Sequence, residues 1–165
     1  FNEQKEKSLN LDNVAYDFMF LTPPSLVHKG GGFKFEQEYL QNGFKLWDGT
    51  NQDIRTTYPT DKTEHRILQY ESCRGLEAWC VVCIALDDFI TSKSDTYRYE
   101  GVEQLGFFEQ DKEDQKNEHV FLWSLIPLTR PMDTLVITLK KSESEFAEKL
   151  KELSNKYSDF VHWIK

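Results

Sequence analysis

A chain of 165 residues is the size of one ordinary domain, and 39% hydrophobic with 29% charged residues suits a packed globular core. The 20 Lys and Arg against 28 Asp and Glu leave a formal charge of −8, a field that repels polyanions and argues against a nucleic-acid partner. The longest apolar run, Ala78–Leu86, is about half of what a helix needs to cross a bilayer, so no membrane partner is expected.

Along the chain, residues 1–12 are polar, mixed in charge and expected to fray. Val14–Thr22 is aromatic and apolar, and Pro23-Pro24 stops it, which predicts a strand. His28 to Gly32 reads as a flexible hinge or turn, and His28 is the histidine best placed for a function because loops carry sites. Phe33–Trp47 contains Asn42-Gly43, the preferred chemistry of a tight hairpin, so a hairpin is predicted there. Ile54–Thr60 follows as an edge strand, since Pro59 would stop a central one. His65–Ser72 and Leu76–Leu86 are predicted strands, and Thr96–Gly101 a shorter one. The stretch 109–118 has no apolar residue and reads as a solvated loop, with strands at His119–Leu128 and Thr134–Lys140 after it.

From Ser142 the pattern changes. Phe146, Leu150, Leu153 and Tyr157 recur at spacings of 4, 3 and 4, one face of a helix, and Ser142 with Glu145 matches a capping box. The expectation is a single α+β domain over residues 1–165. Its mostly antiparallel sheet of about six to eight strands carries a C-terminal amphipathic helical segment, 142–165, packed on it.

The run Trp79–Asp88, "WCVVCIALDD", concentrates the candidate chemistry. Its Trp-Cys-x-x-Cys start is similar in outline to thioredoxin-like oxidoreductases, but a β-branched run favours a strand, where Cys80 and Cys83 point to opposite faces. The same alternation counts against zinc held by Cys73, Cys80, Cys83 and His65. The ending resembles a Walker B strand with its acidic pair, yet the glycine-rich phosphate cradle that such a site requires does not occur. No nucleophile elbow is present, and His28, His65, His119 and His162 lie in separate segments. Asp87 and Asp88 remain as the centre of a metal-assisted hydrolase, the alternative reading.

The leading expectation is a small acidic binding protein, not an enzyme, acting by protein contact without metal or cofactor. Asp111, Glu113, Asp114 and Glu118, with Asp87, Asp88, Tyr97 and Tyr99, are the expected contact residues for a basic protein partner, by charge steering and aromatic anchoring. One concrete form is an immunity or inhibitor protein masking a basic nuclease-like toxin; an accessory subunit of a larger assembly is a further alternative. Three cysteines make a poor disulfide framework and point to a reducing, cytoplasmic location. The start at Phe1 without a basic-then-apolar leader is expected of a trimmed or processed chain.

Overall fold

The structure is a computed structural model in which residues 17–59, 61–98 and 112–164 are described. Five strands, β1 (Phe18–Thr22), β2 (Leu46–Asp48), β3 (His65–Gln69), β4 (Ala78–Cys83) and β5 (Pro131–Ile137), form one sheet in the order β2-β3-β1-β4-β5. Every pairing is parallel, which overturns the expected antiparallel sheet of six to eight strands. The physical reason lies in the strands themselves. All five residues of β1 are buried, as are five of the six in β4, so both faces of the sheet centre are covered. Near-continuous apolar runs are the mark of strands packed on both sides, as parallel sheets are.

Alternate residues feed two cores. Phe18 and Phe20 of β1 lie beside Cys80 and Val82 and pack with Ile67, Phe33 and Tyr39, the last from helix α1 (Glu36–Gln41). Met19, Leu21, Val81, Cys83 and Leu68 face the other way. They meet Phe89 of α3 (Leu86–Thr96), Trp123 and Ile126 of α4 (Lys112–Leu128) and Phe146 of α5 (Glu145–Lys156). A one-turn helix, α2 (Gln52–Arg55), follows β2. Among the described residues no helix is long and apolar enough to cross a membrane.

Several segments differ from the sequence expectation, among them the predicted strand 96–101, whose first residue, Thr96, ends α3. The predicted hairpin at 33–47 is α1 and its exit: Gly43, at φ +80°, follows the helix end at Asn42, so the Asn-Gly pair terminates a helix and does not turn a hairpin. The predicted edge strand at 54–60 begins inside α2, which Asn51 caps by accepting the Asp53 N–H. The described part of the predicted loop 109–118 and the whole predicted strand 119–128 form the single helix α4. Ser144, not Ser142, caps α5, its hydroxyl accepting from the Ala147 N–H at 3.1 Å. Residues 1–12, the start of the first predicted strand, and 99–101 lie outside the described residues.

One connection sets the topology. Between β3 and β4 the chain must pass over β1, and it does so in residues 70–77 through the 3-10 turn Tyr70–Cys73. Tyr70, fully buried, stacks on Phe89 at 4.3 Å and donates its hydroxyl to the Ile84 carbonyl at 2.9 Å, pinning the crossover against β4 and α3.

Candidate functional site

After β1 the chain moves toward β2 and β3; after β4 it moves the opposite way, to β5. The carboxyl ends of β1 and β4 are neighbours whose connections diverge, the topological switch point outside which open parallel sheets place their ligands.

The turn that leaves β4 is built under strain. Ala85 sits in the left-handed region at φ 49°, the single such non-glycine among the described residues, at a cost of roughly 1–2 kcal/mol. It is held by the residue that follows β5: the Ala85 N–H donates to Thr138 Oγ1 at 3.0 Å and the Leu86 N–H to the Thr138 carbonyl at 3.1 Å. The chain then enters α3 at once, so Asp87 and Asp88 stand in its first turn, where a helix favours negative charge.

The two carboxylates do different work. Asp87 is buried, and its two oxygens accept the main-chain N–H groups of Lys140 and Lys141 at 2.8 and 2.9 Å, fastening the loop after β5. Asp88 reaches outward, accepting from the Ser25 hydroxyl and from the Lys140 ammonium at 3.1 Å. Burial alone would raise the Asp88 pKa, but the Ser25 hydroxyl and Lys140 outweigh it and hold the carboxyl below its ordinary value. Lys34 Nζ donates to the Ser25 carbonyl at 2.5 Å. Side chains from the connections after β1, β4 and β5 therefore meet at one place. A hollow of about 250 Å³ opens there between Pro23–Ser25 and the α3 residues Asp88, Thr91, Ser92, Asp95 and Thr96. Another, of about 350 Å³, is lined by residues 140–144, the loop that Asp87 holds.

The glycine-rich segment after β1 is a bonded turn, not a free hinge. The His28 N–H donates to the Gly32 carbonyl at 2.9 Å, and buried Asp48 takes the Phe33 N–H at 2.7 Å together with the Thr50 N–H and hydroxyl. Gly31 has φ +88°, and a Cβ there would lie 3.3 Å from the Asn51 backbone, so the close passage requires glycine.

The sequence-predicted contact residues split into two groups. Asp87 and Asp88 stand at the start of α3, whereas Glu113, Asp114 and Glu118 lie in the N-terminal half of α4. Tyr97, directly after α3, joins the second group, its ring 5.1 Å from that of His119 and its hydroxyl 3.5 Å from Gln115 Oε1. The 11 residues of α3 separate the groups by about 16 Å along its axis. Tyr99 and Asp111 lie outside the described residues. Ser25 and Lys140 escape sequence reasoning because they stand 63 and 52 positions from Asp88, and no local pattern marks them.

The chain matches no protein-family model, no curated protein and no solved structure.

The cysteines take the arrangement expected of a strand. Cys80 belongs to one core and Cys83, with Cys73, to the other. Burial pushes their thiols up to about 11 for Cys73 and Cys80 and about 12 for Cys83. At pH 8 roughly one thiol in a thousand is ionised at Cys73 and Cys80 and roughly one in ten thousand at Cys83, and the thiolate is the reactive form. All three should resist iodoacetamide in the native protein and become alkylated together on unfolding in guanidinium. Alkylation of Cys80 or Cys83 at the rate of a free thiol would contradict their burial. Among the described residues no three His, Cys, Asp or Glu side chains converge to hold a metal.

Proposed function

We propose that this domain binds a small polar ligand in the crevice outside the carboxyl ends of β1 and β4, with Ser25, Asp88 and Lys140 as its contacting side chains. The carrying observation is the meeting of those three residues, from three separate connections, beside a hollow at the switch point. The strained Ala85 turn supports it, since left-handed non-glycine residues concentrate where function over-determines the backbone.

The ligand is read from the side chains. Asp88 and the hydroxyls of Ser25, Thr91 and Ser92 suit hydroxyl groups, and Lys140, which lines the second hollow and meets Asp88 at 3.1 Å, suits an anion, so a hydroxylated small molecule with an acidic group fits both. A metal-assisted hydrolase centred on both aspartates is less favoured, because each oxygen of Asp87 already accepts a main-chain N–H. A toxin inhibitor is less favoured as well, because its acidic residues divide between the first turn of α3 and the N-terminal half of α4.

The test is a titration with citrate and with ribose 5-phosphate, using glycerol as the neutral control, followed by amide chemical shifts and thermal unfolding. Saturable shifts at Ser25, Asp88 and Lys140 are expected with an acidic probe. The accompanying stabilisation is about 2.7 kcal/mol at a hundredfold excess over Kd. Asp88→Asn and Lys140→Ala should each abolish the response. No saturable shift with either acidic probe, or shifts that map elsewhere, would overturn the reading.

A further inference from the structure

The helix α4 has an outward face with its own chemistry. Asp114, Glu118, Phe121 and Leu125 follow at spacings of 4, 3 and 4, so they share one face, with Leu122 beside them. All five are exposed, Phe121 by 60%, Leu122 by 55% and Leu125 by 36%. The opposite side, through Trp123, Ile126 and buried Pro127, packs on the core. On a helical wheel Lys112, Glu113 and Lys116 fall away from the outward face, so its charged residues, Asp114 and Glu118, are both acidic.

A helix that is apolar on two sides is ordinarily buried on two sides. Here the core covers one, and the other is a compact apolar end continued by an acidic one. That order matches an amphipathic helix with leucine-type residues along one face and Lys or Arg at one end: the apolar residues anchor it, and the acids set its direction.

We infer that the outward face of α4 docks a basic amphipathic helix of a partner protein, with Phe121, Leu122 and Leu125 as anchors and Asp114 and Glu118 as the charge contacts. This surface lies on a different helix from Asp88 and does not depend on the crevice ligand.

A labelled synthetic amphipathic helix of lysine and leucine is the probe, titrated into the full chain by fluorescence anisotropy, with a glutamate–leucine peptide of the same pattern as comparison. The basic peptide should bind. The pair Leu122→Ser and Leu125→Ser should weaken it about tenfold or more. Asp114→Asn with Glu118→Asn should weaken it and flatten its salt dependence, whereas Glu36→Gln with Glu38→Gln on α1 should leave it unchanged. Circular dichroism verifies that each variant is folded, as exposed substitutions predict. Absence of binding, equal binding of the acidic peptide, or an equal loss in the α1 variant would overturn the proposal. So would a dimer in sedimentation that Leu122→Ser abolishes, because a second copy of this chain would then be the occupant.

Discussion

Replacing Tyr70 by alanine is expected to destabilise the domain by about 3–5 kcal/mol, the largest effect of any single change considered. Tyr70 is fully buried, lies flat against Phe89 at 4.3 Å, and donates to the Ile84 carbonyl from the turn that carries the chain over β1. Burial pushes its phenol pKa far upward, so it remains a neutral donor at every working pH. Truncation removes the aromatic filling and leaves the Ile84 carbonyl without its partner. Tyr70→Phe keeps the filling and should cost only about 1 kcal/mol, the net worth of a buried hydrogen bond. Guanidinium unfolding separates the two terms. If the phenylalanine variant lost as much as the alanine variant, packing would not be what Tyr70 supplies.

The second large effect belongs to Asp87. Asp87→Ala removes two charge-assisted bonds to main-chain N–H groups and should cost about 3 kcal/mol, lowering Tm by roughly 6–12 °C for a chain of this size. A local readout distinguishes this role from ligand chemistry. Hydrogen exchange at the Lys140 and Lys141 amides should accelerate in the variant, while the amides of β1 and β3 keep their order of protection. Asp87→Asn, with one acceptor oxygen, should fall between. A metal ligand at this position would behave otherwise: the Asn variant would lose divalent-ion binding, and its stability without metal would stay close to that of the parent chain.

How much of this was legible depends on the segment. The strands Phe18–Thr22 and Ala78–Cys83 are plain in the sequence because their apolar runs are short and end at Pro23 and at the Asp87-Asp88 pair. Their direction is not plain, since antiparallel and parallel partners impose the same residue types on a centre strand. The uninterrupted apolar run Phe18–Leu21 is the available signal for a sheet covered on both faces; the antiparallel expectation rests instead on a count of seven or eight strands before one helix, and the five parallel strands correct it.

The helix α4 was missed for a related reason. From His119 to Leu128 apolar residues occur on every side, which removes the helical period; its outward Phe121, Leu122 and Leu125 hide the inward Trp123 and Ile126. The polar half before it lacks apolar residues altogether, so one helix reads as a loop and a strand. Asn42-Gly43 shows the same ambiguity on a smaller scale, because glycine at positive φ serves hairpin turns and helix ends alike. For the crevice, the sequence places Asp87 and Asp88 where a strand reaches its end. It does not reveal that one clamps a loop and the other meets Ser25 and Lys140, because those contacts are made by the fold alone.

The position of β1 also bears on how the chain reaches this state. Its pairing partners on both sides, β3 and β4, are synthesised after it and are joined to each other by only residues 70–77. The centre of the sheet cannot close until both have arrived, so assembly must wait on contacts far apart along the chain and should be slow compared with a helical domain of equal length. Throughout that interval Phe18, Met19, Phe20 and Leu21 have no ladder to enter. A nascent chain in this condition presents a sticky segment to its neighbours, and crowding during synthesis would favour aggregation over closure.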